Sequence, residues 1–400
     1  MSITRRLLLA FTGFLSLSLV LPAAFASGKE PVLSSASKAW VLIDGSSGYV
    51  MSERKKELAL NPGDLVHLMV LYTALEAASK NEDALQAAVS ISPADVARAS
   101  SARRLYLVPG EPHPLKTLLH GIAVTGAEDA VLAVAAHFST EENSFVQKMN
   151  ETAKALNLTQ SRFVSAVDDD GNRMSAYDLA LLTLALKQRF PRAYSWFAEK
   201  EFSFASHSLR NRNPLLWRGV GISGVMSNRD NTSLVASWHR DGDQTVLSRD
   251  VVAVLLEGDN ADLTTADAQA LLQYGRLDYE TLRLFPAGAP ITKIDILAGN
   301  QEKLEVGSPK DIWVTVRRQD IVARGTGGFA TRFEYMSPAV APVKSGEAVG
   351  RLRIYFQDRH VADFTLVALH DVGSGSFFNR FVDSVRLRMK PDGSGAAAYP

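Results

Sequence analysis

The first two thirds of the chain alternate between strand-like and helix-like patterns of apolar residues. Apolar positions alternate around Gly45–Gly48 as in a β-hairpin, and from about Asp64 to Ser79 nearly every helical face is apolar. The stretch LKTLLHGIAVTGAEDAVLAVAAHF predicts two helices that break near Thr125 and Gly126, and SAYDLALLTLALKQRF predicts another helix. Three later strands are predicted by GVGISGVMSN, NTSLVASWHR and DVVAVLLEG. Residues 27–283 are therefore predicted to form one domain in which helices pack against a sheet.

From about Leu284 the pattern changes to short alternating β segments separated by turn residues. These segments are ITKIDIL, DIWVTVRR, ATRFEYM, GRLRIYF and DFTLVALHDV. Residues 284–374 are predicted to form a small all-β domain.

The last segment, residues 375–400, has the pattern of a helix with one apolar face behind a Gly/Ser joint. Most charged residues of FFNRFVDSVRLRMK fall on the opposite face, and the apolar face holds Phe377, Phe378, Phe381, Val382, Val385 and Met389. Such a helix suits a membrane interface, so this segment is predicted to associate with a membrane. The alternative is a terminal helix that packs on its own domain.

Residues 1–26 have the layout of a secretory signal peptide. Arg5 and Arg6 precede an apolar run from Leu7 to Leu21, and small residues end the segment at Ala26. The run is short of the roughly 20 residues that a bilayer-spanning helix needs, which favours cleavage over an uncleaved anchor. The general and the twin-arginine export routes both remain open.

Composition excludes two classes of function. The chain has no cysteine, so disulfides and thiolate chemistry are absent although export would permit them. Its 43 basic and 43 acidic residues argue against a nucleic-acid partner, since no excess positive charge is available to attract phosphates.

Several stretches resemble one known family, the exported low-molecular-mass penicillin-binding proteins that are D-alanyl-D-alanine carboxypeptidases. The matching stretches span nearly the whole mature chain: KAWVLIDGSSGYV, NPGDLVHLM, HGIAVTGAEDA, KEFSFASHSLRNRNPLLW, ISGVMSN and FFNRFVDSV. The resemblance implies an α/β fold: a penicillin-binding or serine β-lactamase-like transpeptidase domain with helices packed on an antiparallel sheet, then the β-rich domain and the amphipathic helix. It also implies a periplasmic protein at the outer face of the inner membrane, with no cofactor.

At each of the family's three catalytic motifs, the resemblance aligns a different residue type in this chain. Where the family has Pro-x-Ser-x-x-Lys, the serine nucleophile is replaced by Asp64 and the lysine by His67. Where it has Ser-x-Asn, an ungapped alignment gives Gly126-Ala127-Glu128, and a shift by one gives Thr125-Gly126-Ala127. Where it has Lys-Thr-Gly, this chain has Met226-Ser227-Asn228, without the ammonium that attracts the substrate carboxylate. The loss of two lysines and the gain of two carboxylates predict an acidic cleft that repels that substrate.

These losses predict a pseudoenzyme, a catalytically inactive homologue that acts at the cell wall. It would bind a partner there, either a cell-wall enzyme or peptidoglycan, or modulate peptidoglycan metabolism. One alternative is an active, penicillin-sensitive carboxypeptidase that removes the terminal D-alanine from stem peptides. The other is a binding module for a cationic or metal ligand, with Asp64, His67 and Glu128 as candidate ligands of a divalent metal.

The same residues also have plain structural interpretations. Asp64 is expected to cap the central helix, and His67 to be a hydrogen-bonded histidine of the core. Glu128 and Asp129 are expected at a helix start, where acidic residues favour the positive end of the helix dipole. Met226 is expected to fill space in a strand.

Overall fold

The computed structural model describes the backbone of residues 2–7, 29–81, 83–99, 103–139, 144–218, 222–224, 226–228, 230, 232–242, 248–324, 328–336 and 339–375. The chain divides between Tyr279 and Glu280 into two compact units. This division lies a few residues before the predicted boundary between 283 and 284.

The bounds of the regular elements are as follows. The strands are β1 (Ser2–Leu7), β2 (Ala39–Asp44), β3 (Val50–Arg54), β4 (Ala88–Val89), β5 (His113–Pro114), β6 (Glu201–Phe204), β7 (His207–Arg210), β8 (Ile222–Gly224), β9 (Leu234–Arg240), β10 (Arg249–Leu256), β11 (Tyr279–Phe285), β12 (Pro290–Leu297), β13 (Lys303–Gly307), β14 (Ile312–Arg317), β15 (Phe329–Met336), β16 (Ala339–Val340), β17 (Ala348–Phe356) and β18 (Arg359–Ala368). The α-helices are α1 (His67–Ala78), α2 (Pro93–Arg98), α3 (Leu115–Thr125), α4 (Glu128–Phe138), α5 (Ser144–Ala155), α6 (Ala176–Arg189), α7 (Pro191–Tyr194), α8 (Ala261–Asp278) and α9 (Arg318–Arg324).

The unit that ends at Tyr279 is built on an antiparallel sheet with helices on both faces. Its five strands lie in the order β3-β2-β10-β9-β8, and each neighbouring pair is antiparallel. Alternating residues of β2 face opposite sides of the sheet, so Val41 and Ile43 join the core around α1, whereas Leu42 packs in the core that contains α8. The predicted sheet flanked by helices is confirmed.

The central helix of this unit begins later than the sequence predicts. α1 starts at His67, and a 3-10 turn at Gly63–Val66 precedes it. The helix contacts α3, α4, α5 and α6, and its buried residues point in all directions: His67, Leu68, Met69, Val70, Leu71, Tyr72, Thr73, Ala74, Leu75 and Ala78. Each large apolar side chain among them contributes about 2 kcal/mol by its burial. The predicted central position of this helix is confirmed.

The second unit is a β domain. Its seven-stranded sheet has the order β1-β15-β17-β18-β13-β12-β16, with a parallel pair between β12 and β16 and antiparallel pairs elsewhere. One core takes the inward apolar positions of its strands, including Leu304, Phe333, Leu352 and Leu366. The all-β prediction is confirmed, apart from the short helix α9.

Two predicted segments lie at the chain ends. β1 falls within the predicted signal peptide and pairs with β15, Ser2 lying opposite Met336, and cleavage of that signal stays a prediction. The predicted amphipathic helix, with Phe377 and the other apolar positions named above, lies outside the described residues, which end at residue 375. Within the described ranges, no helix is both long and apolar enough to cross a bilayer.

Candidate active site

Asp64, which the resemblance aligns with the family's nucleophile, is buried in the 3-10 turn before α1. The residue is 3% exposed, and Pro62 occupies the N-cap position of the turn. The prediction that Asp64 caps the helix is therefore wrong. Its carboxylate makes a charge contact instead, with Oδ2 lying 3.3 Å from Nε of Arg103.

Arg103 is the site residue that the sequence analysis missed. It is 5% exposed, and besides its contact with Asp64 its Nη1 donates a hydrogen bond of 3.2 Å to the carbonyl oxygen of Ser227. Because Arg103 brings a buried positive charge to Asp64, the prediction of an acidic cleft is wrong at Asp64. Nothing in the stretch around Arg103 forms a motif, and the one available signal was indirect: a buried carboxylate needs a cation nearby.

The second motif position lies at the junction of α3 and α4, against Arg103. Gly126 ends α3 with a left-handed φ of +68°, and a Cβ added there would lie 2.8 Å from Nη1 of Arg103. Glu128 donates its amide hydrogen to the carbonyl oxygen of Arg103 at 3.0 Å. Thr125, the hydroxyl of the shifted alignment, donates to the carbonyl of Gly121 in its own helix. Glu128 and Asp129 lie in the first turn of α4, as predicted.

The third motif position is an extended segment beside β9. Met226 is buried in the core, which confirms that it fills space, and its carbonyl accepts the amide hydrogen of Val235. Asn228 closes the following turn, because its Oδ1 accepts the amide hydrogen of Ser233 at 2.9 Å. The asparagine also lies against the lead-in to α1: its Cβ is 3.3 Å from the position that a Cβ on Gly63 would take.

His67, which the resemblance aligns with the family's lysine, is completely buried at the start of α1. Burial lowers its pKa to about 4; Asp64 opposes this shift and Arg103 adds to it. The ring is therefore neutral near pH 7 and does not replace the charge of a lysine. Within the described part of the chain neither ring nitrogen has a hydrogen-bond partner, so His67 is a core residue as predicted but not a hydrogen-bonded one.

The described residues contain no group of three or more His, Asp or Glu side chains arranged to hold a metal ion. Asp64, His67 and Glu128 therefore do not form the metal site that their types allowed.

Two family models together match most of the chain. The model described as D-alanyl-D-alanine carboxypeptidase matches residues 25–252, which is more than half of the 400 residues. The chain belongs to the D-alanyl-D-alanine carboxypeptidase family. Residues 279–374 match the model described as the C-terminal domain of penicillin-binding protein 5, in agreement with the observed β domain.

Relatives of this family match over nearly their full lengths. D-alanyl-D-alanine carboxypeptidase DacD of Salmonella typhimurium is 28% identical over 404 residues, which covers 96% of this chain and 98% of the relative. DacA of Escherichia coli is 26% identical over 88% of this chain. The solved structure of penicillin-binding protein 5 from Haemophilus influenzae has the same fold, with a TM-score of 0.77 and 22% identity over 86% of this chain and 99% of that one.

The structure brings the three motif segments of this family member together around one arginine. Arg103 contacts Asp64 of the first segment, lies against Gly126 of the second and donates to Ser227 of the third. The three segments that the resemblance aligns with the family's motifs thus converge, and the groups at their centre are a buried carboxylate, a guanidinium and a neutral imidazole. The carboxylate and the guanidinium form an internal ion pair, and none of the three groups is a hydroxyl.

Proposed function

We propose that this protein is a catalytically inactive member of the D-alanyl-D-alanine carboxypeptidase family that acts at the cell wall by binding. Its ligand would be peptidoglycan or an enzyme that processes it. The observation that carries the proposal is the buried contact between Asp64 and Arg103, since it occupies the position of the family's nucleophile with a pair of opposite charges.

The chemistry of the nucleophile position supports inactivity. Acyl transfer by this family uses a serine hydroxyl that forms an ester, and a neighbouring lysine that helps to move the proton. A carboxylate at Asp64 would have to form an anhydride, which is much less stable than the amide that it would replace, so this acyl transfer is unfavourable. Asp64 is also buried, with 3% of its surface exposed, and its carboxylate faces a guanidinium, so it is not available to attack an amide substrate.

The loss of both lysine charges supports the same conclusion. His67 is neutral at pH 7 because its pKa is lowered to about 4, and Met226 carries no charge. The site therefore lacks both the lysine that would help to move the proton and the ammonium that would attract the substrate carboxylate. Arg103 does not replace them, because it is buried and its Nη1 already donates to a backbone carbonyl.

The placement of the protein remains part of the proposal. Its relatives are D-alanyl-D-alanine carboxypeptidases by name, and the predicted signal peptide and terminal helix would bring the chain to the periplasmic face of the inner membrane. Sedimentation with membrane vesicles, with and without residues 377–400, tests the anchor. Equal sedimentation of both forms would rule out that role for the helix.

The direct test of inactivity is release of D-alanine from a peptide that ends in D-alanyl-D-alanine. DacD of Salmonella typhimurium, assayed beside the purified chain, is the positive control. We expect release by the control and none above background by this chain. Release that is abolished by penicillin would show an active carboxypeptidase and overturn the proposal.

A further inference from the structure

An exposed aromatic pair lies on the segment that follows Arg103. Tyr106 is 54% exposed, more than Tyr49 or Trp217, and its ring lies 4.8 Å from the imidazole of His207, tilted by 36°. Val108, two residues further on, is 49% exposed. Large apolar groups that remain exposed together mark sites of interaction more often than isolated ones do.

The backbone is built to hold Tyr106 outward. Its φ is +63°, a left-handed conformation that is uncommon for a bulky residue. The carboxylate of the buried Asp129 imposes it, because its two oxygens accept the amide hydrogens of Leu105 at 2.9 Å and Leu107 at 3.1 Å. Both leucines are buried, so the tyrosine between them projects from the surface. Strained backbone of this kind is concentrated at sites that hold ligands.

The other ring of the pair stands on a short hairpin. His207 begins β7 and lies opposite Phe204 of β6, with Ala205 in a left-handed turn conformation between the strands. Phe204 is buried and its ring lies 5.0 Å from that of His113. The exposed imidazole therefore lies opposite a buried phenylalanine, which holds this end of the hairpin against the core.

We propose that the outer face of Tyr106, backed by the imidazole of His207, forms a stacking platform for a sugar ring of the peptidoglycan glycan strand. One face of a pyranose is a layer of C–H groups that packs on the electron-rich face of an aromatic ring, while its hydroxyls remain in water. Two rings and one valine offer far less than the roughly 800 Å² per partner of a stable protein interface, so a small flat unit fits better than a protein surface.

The inference deepens the proposed function and rests on it, because it names the ligand at the cell wall. The platform lies close to the altered site: Tyr106 is three residues from Arg103, at most about 10 Å along an extended chain. A glycan strand on the platform would thus lie near the position at which the family handles stem peptides.

Binding of the full chain to two insoluble probes tests this platform. The probes are intact peptidoglycan and peptidoglycan whose stem peptides an amidase has removed. Tyr106→Gly deletes the ring and relieves the left-handed strain, so it should fold at least as well as the native chain. Tyr106→Phe keeps the ring, and Tyr49→Ala removes an exposed aromatic elsewhere.

We expect the native chain to bind both probes with similar affinity, Tyr106→Gly to bind both at least tenfold more weakly, and the other two variants to stay within twofold. Unchanged binding by Tyr106→Gly, absence of native binding, or binding that disappears with the stem peptides would overturn the platform. The same samples are assayed for D-alanine release, which alone decides whether the proposal of inactivity fails.

Discussion

Two buried aspartate–arginine pairs in the first unit differ in how fully their atoms are used. In the pair of Asp44 and Arg249, Nε lies 2.9 Å from Oδ2, and Asp44 Oδ1 also accepts the amide hydrogens of Ser46 and Ser47 at 3.0 Å. Arg249 Nη1 donates to the carbonyl of Tyr279 at 2.9 Å. This pair joins the end of β2 to the start of β10 across the sheet.

The pair of Asp64 and Arg103 is longer and less well bonded. Its atoms are 3.3 Å apart, and Oδ2 of Asp64 has no hydrogen bond of good geometry within the described residues. Burying an ion pair costs several kcal/mol per ion, and only close geometry with additional hydrogen bonds offsets that cost. The first pair meets this condition and the second does so only in part. We infer that Asp44–Arg249 supports the fold more strongly than Asp64–Arg103 does.

The largest effect should come from breaking the better pair. Arg249→Met leaves Asp44 buried without its cation and should lower the free energy of unfolding by about 5 kcal/mol. Urea denaturation followed by tryptophan fluorescence measures it. Arg283→Met, which removes a partly exposed contact of 3.6 Å with Asp311, is the control and should cost less than about 1 kcal/mol.

Breaking the looser pair should cost less. We expect about 3 kcal/mol for Arg103→Met, and a smaller loss for the double change with Asp64→Leu, because no uncompensated charge then remains. Arg104→Met, at the next residue, controls for the loss of an arginine from this segment. If Arg103→Met costs as much as Arg249→Met, the difference drawn between the two pairs is wrong.

The pH dependence of stability should report on His67. Its folded pKa of about 4 lies below the ordinary histidine value of 6.5, so between these values the unfolded chain binds a proton that the folded chain excludes. The contribution of His67 to the free energy of unfolding is therefore highest above pH 6.5 and falls as the pH is lowered, by about 2 kcal/mol from pH 7 to 4.5. In His67→Leu this part of the pH dependence should be absent. Equal slopes for both proteins in urea denaturation across this range would contradict the burial of a neutral ring.

The smallest effect concerns the glycine beside the looser pair. Gly126→Ala places a methyl group 2.8 Å from Arg103, whereas Gly48→Ala adds one at a similar φ of +75° with no atom within 4 Å. Both changes should cost about 1 kcal/mol for the left-handed backbone. Thermal unfolding should show about 1 kcal/mol more for Gly126→Ala. That excess should disappear in Arg103→Met, and its persistence would mean that another contact causes it.

Local patterns in the sequence predicted most of the fold but only part of the site. β2 is buried on both faces and α1 on nearly every face, so the apolar residues at these positions can be read directly from the sequence. Arg103 could not be found in this way, because its contacts are with residues distant in the chain and depend on how three segments converge. The ion pair with Arg103 also explains why Asp64 does not cap the helix, although aspartate is a common capping residue.

If the chain is catalytically inactive as proposed, no residue of it should form a covalent acyl adduct. Incubation of the purified, folded chain with a fluorescent penicillin, beside an active carboxypeptidase, followed by measurement of intact mass, tests it most directly. We predict a labelled control and an unmodified chain at its native mass. A stable adduct of one penicillin per chain would show that a nucleophile is activated despite Asp64, His67 and Met226, and would contradict the account.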